Sequence, residues 1–213
     1  MRKLILSMML TADGMTARTD GDLGWFRTDP DFEVEMLALL NRVDGMLFGR
    51  KSYLLLADYW PNAAAPGAPD APGGFSTRER AFAFTRLMNA TPKLVVSRTL
   101  ETLAWGPSQL IRGDLAAALR RLKALPGRDL VVFAGATLAR SCIELDLVDE
   151  YRLMLHPLLL GRGLGLFTGL PEERPLHLLE SKSFSSGVVL VRYEPEQDAS
   201  QRDASQRDAT ERS

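Results

Sequence analysis

An α/β fold on a mainly parallel sheet is predicted by three features of the sequence. Apolar runs of strand length recur at RKLILSMML (2–10), Gly45–Phe48, KLVVS (93–97) and DLVVF (129–133). Such unbroken runs suit strands covered on both faces. Helical stretches with start signals stand between them, the alternation expected of βα units. The final segments, Pro175–Ser183 and Gly187–Tyr193, flank Ser185-Ser186-Gly187 and predict an antiparallel pair that closes the sheet.

The elements follow in order. After the first run, Asp13-Gly14 is a turn and RTDGDLGW a glycine-rich loop. Asp29-Pro30 opens a helix, because aspartate can cap and proline suits the first helical position. Met36, Leu37, Leu40 and Val43 share one face of it. Gly45–Phe48 leads into a helix from Lys51 to Ala57. PNAAAPGAPDAPGG (61–74) is expected to be a long exposed loop. Ser76 or Thr77 caps a helix to about Met88, and KLVVS and a short strand around Gln109–Ile111 come next. Asp114 caps DLAAALRRLKAL, which stops at Pro126-Gly127. DLVVF, the small turn Ala134–Thr137 and the helix LARSCIELDL precede EYRLML (150–155), read as a strand with period two. HPLLLGRGLGLF is an apolar, glycine-containing loop.

Composition narrows the function classes. The 213 residues, 46% hydrophobic and 25% charged, suit one globular domain with an appendage. A net charge of -1 argues against nucleic acid or an anionic membrane as partner. Cys142 is the one cysteine, so no internal disulfide can form, and its apolar helical setting predicts a buried, inert thiol. With His156 and His177 as the only histidines, a zinc site is not expected. The N-terminal apolar run is short and lacks a cleavage site, and no run approaches the roughly 18–20 residues of a membrane span. A soluble cytoplasmic protein is expected. After Tyr193 there is no aromatic or large aliphatic residue and DASQR occurs twice. A domain over 1–194 and a disordered polar tail over 195–213 are therefore expected.

Three strand-to-helix turns share one theme. In FGRKSY, Gly49 would let a ligand approach the backbone, Arg50 offers a guanidinium fork and Ser52 a hydroxyl. The helix start behind them favours an anion. VVSRTL repeats the pattern with Ser97, Arg98 and Thr99. In VVFAGATLARS, the small Ala134–Thr137 turn could admit a pyrophosphate, although no GxGxxG fingerprint is present. All three turns fall at carboxyl ends of strands, where open α/β sheets bind ligands. A plain turn with solvated cations is the alternative at each.

The order ADG, LFGRKSY, KLVVSRTL and VVFAGATLARSCIELDLVDEYRLMLHPLLLGRGLGLF resembles the dihydrofolate reductase superfamily. It looks nearest to stand-alone bacterial reductases similar to the C-terminal reductase domain of the riboflavin-biosynthesis deaminase-reductase. The resemblance runs from about Arg2 to Tyr193. It implies a three-layer fold with a central, mostly parallel sheet and an antiparallel C-terminal end, and NADPH as hydride donor. It places Gly49, Arg50, Ser52, Ser97 and Arg98 at the adenosine 2′-phosphate, and Gly135, Ala136, Thr137 and Leu138 at the pyrophosphate. The Ala12–Gly14 loop would face the nicotinamide. The family usually carries Gly-Gly where this chain has Ala134-Gly135.

Reduction of a C=N bond also needs a proton. Asp31 and Glu33 on the first helix are candidate donors, Glu33 sharing the face of Met36 and Leu40, and a solvated first-turn acid is the alternative reading. Trp25, Tyr59 and Trp60 are candidates for stacking on a flat heterocycle, with core or dimer packing as the alternative. Arg112 is placed at the adenine side. His156 is read as structural, His177 as solvent-facing and Trp105 as packing. The leucines of LLLGRGLGLF predict a homodimer. The expected function is NADPH-dependent reduction of a small heterocycle or similar C=N/C=O compound. The alternatives are a riboflavin-pathway 5-amino-6-(ribosylamino)uracil-type reductase and a non-catalytic nucleotide-binding protein.

Overall fold

The structure is a computed structural model that describes residues 1–63 and 74–196. Eight strands form one sheet: β1 (Leu4–Thr11), β2 (Val43–Gly49), β3 (Lys93–Val96), β4 (Ser108–Ile111), β5 (Asp129–Ala134), β6 (Glu150–His156), β7 (Leu176–Ser183) and β8 (Val189–Pro195). Its order is β4-β3-β2-β5-β1-β6-β8-β7. Neighbouring strands from β4 through to β6 pair in parallel, and β8 runs antiparallel between β6 and β7. The carboxyl ends of six strands therefore share one rim.

Among the described residues five α-helices cover the sheet: α1 (Pro30–Arg42), α2 (Arg50–Tyr59), α3 (Arg78–Ala90), α4 (Leu115–Ala124) and α5 (Ala136–Glu144). Strand alternation splits the core in two. On one face Ile5, Met46, Val131 and Met154 pack with Phe32 and Met36 of α1 and Phe84 and Met88 of α3. On the other, Leu6, Leu47, Val132 and Leu153 pack with Leu119 of α4 and with Ala139, Cys142 and Ile143 of α5. The Cys142 thiol is buried there, and burial pushes its pKa up to about 12. Among the described residues no helix is long and apolar enough to cross a membrane.

Local signals explain the helix starts. Asp29, Thr77 and Asp114 cap α1, α3 and α4 through side-chain acceptors. Asp29 also accepts from Ser186 N–H at 2.8 Å, which ties the start of α1 to the β7–β8 turn. Burial opposes its charge, yet these hydrogen bonds outweigh burial and hold its pKa at about 2.

One expectation needs correction. Period two in EYRLML would leave one face of β6 open, but both are buried. Tyr151 and Leu153 enter one cluster, and Glu150, Arg152 and His156 are covered on the face where α1 lies. At the end of the described chain β8 runs through Pro195, and Glu196 N–H bonds Pro175 O. The rest of the expected tail, 197–213, and most of the proline-rich loop, 64–73, lie outside the described residues.

Candidate functional site

The carboxyl rim brings the three turns together because β3, β2 and β5 are neighbours. Gly49 pairs with Val96, and Phe48 with Ala134. Chains thus leave the sheet side by side at Arg50, Ser97 and Gly135.

Two helix starts abut at this point. Gly49 precedes α2 and Gly135 precedes α5, and neither helix has a side-chain cap. Gly135 has φ +98°, and a Cβ there would approach Ser52 Oγ to 2.7 Å. A Cβ on Gly49 would lie 3.8 Å from Leu138 Cβ. Glycine at 135 therefore serves both backbone conformation and close approach. The first N–H groups of each helix lack intrahelical acceptors, so two partial positive ends stand together. Arg50 and Arg98 flank them, both exposed, and neither side chain has a hydrogen bond or ion pair among the described residues. Thr137 is exposed at the start of α5 and Ala136 is half-buried.

The remaining candidates at this end have structural partners. Ser97 is buried, and its Oγ accepts from Thr99 N–H at 3.2 Å and Leu100 N–H at 3.0 Å, closing the turn that presents Arg98. Arg112 donates from Nη1 to Arg98 O at 2.9 Å and from Nη2 to Leu100 O at 2.6 Å. Its guanidinium braces the turn from outside.

Across the rim, the Ala12–Gly14 loop is clasped by the loop after β6. Ala12 N–H donates to Leu158 O, Thr16 N–H to Leu164 O, and Leu166 N–H to Gly14 O. Asp13 anchors this clasp, accepting from Leu160 N–H, from Gly161 N–H at 2.7 Å and from the Thr11 hydroxyl. Those bonds, the Thr11 hydroxyl foremost, lower its pKa despite partial burial. The sequence showed Asp13 only as a turn residue, and nothing local points to a partner some 147 positions away. Gly163 is required as well, since a Cβ there would run into Ala17 O.

The aromatic candidates separate. Trp25 is buried, edge-on to the His156 imidazole at 5.1 Å and to Phe26 at 4.5 Å. Trp60 is packed against Phe84 in the core, and Tyr59 is exposed. His156 is 1% exposed, and its Nδ1 accepts from Arg27 N–H at 3.2 Å. Burial first, then the charge of Arg27, lowers its pKa to about 4. The acids separate too. Glu33 points inward, but it does not wait there as an unengaged acid. It accepts from Ser76 N–H and Oγ–H and pairs with Arg80 Nη1 at 3.2 Å. Asp31 is exposed at the start of α1.

Residues 2–190 match the RibD C-terminal domain family. The chain belongs to that family. Its members are reductases with the dihydrofolate reductase-like fold. Uncharacterized protein YyaP of Bacillus subtilis is 32% identical over 90% of this chain and 94% of its own. A solved Shewanella sp. PV-4 protein ascribed to riboflavin biosynthesis superposes with a TM-score of 0.69 at 21% identity, covering 92% of this chain and 99% of that one. The Thermotoga maritima diaminohydroxyphosphoribosylaminopyrimidine deaminase/5-amino-6-(5-phosphoribosylamino)uracil reductase superposes with a TM-score of 0.64 at 19% identity, with 92% of this chain covering 57% of that one. At such identities the superpositions speak for the fold.

Proposed function

We propose that this protein is an NADPH-dependent reductase of a small heterocyclic substrate bearing a C=N or C=O bond. The observation that carries the reading is the pair of abutting, uncapped helix starts flanked by two guanidiniums that have no partner among the described residues. Bare helix ends suit a pyrophosphate, and free guanidinium forks suit a further phosphate dianion. Gly135 to Leu138 would hold the pyrophosphate, while Arg50, Ser52 and Arg98 would hold the 2′-phosphate. The bound cofactor would supply a hydride. The chain's own contribution at the other end of the rim is a fixed floor, the Ala12–Gly14 loop locked by Asp13. Trp25 is the aromatic residue nearest that floor by chain position, at the edge of the His156 cluster. Because Glu33 is bound by Ser76 and Arg80, the proton for the substrate is not assigned to it.

Changing Arg50 and Arg98 together to alanine is expected to weaken NADPH on the order of 100-fold, since two charge-assisted contacts are lost. NADH should change little. Equal losses for both cofactors in a titration would overturn the phosphate assignment. Turnover is tested by NADPH oxidation across pterins, dihydrofolate and pyrimidines. The uracil-type substrate named for the Thermotoga relative belongs in that panel. NADPH binding with no oxidation on any of them would favour a nucleotide-binding protein instead.

A further inference from the structure

Arg112 follows β4 and is the third guanidinium at this rim, and its geometry differs from the other two. Both of its terminal nitrogens are committed to carbonyl oxygens two residues apart, Arg98 O and Leu100 O. Inside the same turn, Ser97 Oγ takes the Thr99 and Leu100 N–H groups. The four-residue turn that carries Arg98 is thus held at both its donors and its acceptors. The pairing of Val96 with Ile111 sets β4 beside β3 at this level, and Gly113 with φ +82° turns the chain away immediately after Arg112.

This arrangement has a cost that stability alone does not explain. An exposed arginine fixed at two points loses side-chain entropy. It also adds a positive charge beside the Arg98 backbone, and among the described residues no carboxylate pairs with Arg50, Arg98 or Arg112. Repulsion of this kind is relieved when an anion lies among the cations. Fixing the backbone of Arg98 beforehand reduces what its side chain must give up on binding.

We propose that Arg112 is a positioning residue that sets the preference for a 2′-phosphorylated dinucleotide by bracing the Ser97–Leu100 turn, so that Arg98 is presented to the phosphate. This rests on the cofactor reading above. Arg112 acts through Arg98 and not as a ligand of the phosphate.

The test is a double-mutant cycle on the full chain, with NADPH, NADH, 2′,5′-ADP and 5′-ADP as titrants. R112A should weaken NADPH and 2′,5′-ADP by about 10-fold, the size of one lost charge-assisted contact, and leave NADH and 5′-ADP within about twofold. In an R98A background the same change should have no further effect, because the braced group is gone. R112K should recover only part of the loss, since an ammonium lacks the planar fork that spans two carbonyls. Hydrogen exchange without any nucleotide gives the second readout: the Thr99 and Leu100 amides should exchange faster in R112A and not in R98A. Additive losses in the cycle would overturn the proposal by showing direct contact. Unchanged amide exchange, or weakening by R98A without weakening by R112A, would overturn it as well. A wild-type protein that binds NADPH and NADH equally would instead sink the cofactor reading itself, and the exchange result would still decide whether Arg112 braces the turn.

Discussion

The two ends of the sheet treat charge in opposite ways. Beneath α1, at the amino end, charges are matched into a ladder. Buried Glu150 receives Arg42 through two bonds, at 3.0 and 2.8 Å, and Arg192 at 3.0 Å. Arg42 continues to Asp129 and Arg192 to Glu180, while Glu35 joins Arg152 to Lys182. At the carboxyl rim, Arg50 and Arg98 have no side-chain partner among the described residues, and α2 and α5 begin without side-chain caps. Satisfied charges hold elements in place. Unsatisfied ones of a single sign, gathered on neighbouring strands, are a standing demand for an anion.

The sharpest way to test that division is to break the ladder. Glu150→Ala leaves Arg42 and Arg192 without their shared carboxylate, and Arg152 is already half-paired beside them. Removing one partner of a buried pair costs about 3–5 kcal/mol, and since Arg42 and Arg192 keep Asp129 and Glu180 the loss here falls toward the lower end of that range. Urea unfolding should show that loss, while the fraction that remains folded should bind NADPH with unchanged affinity. A large stability loss accompanied by weaker NADPH binding would break the comparison, because the two ends would then be coupled.

The next effect belongs to a rim residue that is buried without charge. An unfolded chain protonates His156 near 6.5, whereas the folded chain does so only at about 4. Above pH 6.5 the imidazole is neutral in both states and the stabilisation is complete. As pH falls from 6.5 towards 4, the unfolded state takes up the extra proton, so stability falls, by up to about 3 kcal/mol at the acid end. The carboxylates with lowered values, Asp13, Asp29, Glu35 and Glu150, act below their own unfolded values of 3.8 to 4.5. The interval from 6.5 to 5 therefore isolates the histidine. Stability measured across it should slope in the wild type and be flat in His156→Gln. Equal slopes would show that His156 does not carry the effect.

What the sequence made legible follows the range of each interaction. Asp29, Thr77 and Asp114 each bond an N–H group three residues away, so a cap can be read from a few letters. The apolar runs give buried strands, because burial on both faces is written in each run itself. Strand order is not written there; it rests on parallel pairings between segments far apart. Glu33 shows the difference. Its helix face left both an inward and a solvated side chain open, and the partners that decide between them, Ser76 and Arg80, come from beyond a long loop and turn a candidate acid into an anchor. The Glu150 ladder escaped for the same reason, since its members span α1, β5, β6, β7 and β8. Arg50 and Arg98 were singled out by turn chemistry, and only the adjacency of β2 and β3 brings them to one place.

The smallest effect tests the open helix starts directly. Gly49 has φ -76° and ψ 161°, a conformation that a capping serine adopts without strain, and the nearest atom to a Cβ there is 3.8 Å away. Gly49→Ser would give α2 the side-chain acceptor that it lacks. The expected gain in stability is only a few tenths of a kcal/mol, about 0.3, since glycine is itself a tolerable cap. NADPH should bind a few-fold more weakly, because the hydroxyl now competes for the N–H groups that a phosphate would use. The same change at Thr77, where α3 already has its cap and no phosphate is placed, offers the control: Thr77→Ser should alter neither quantity. Opposite signs for stability and binding at Gly49 would mean that the missing cap is reserved for a ligand. A stabilised Gly49→Ser protein with undiminished NADPH affinity would mean that the anion is held by the arginines without help from α2.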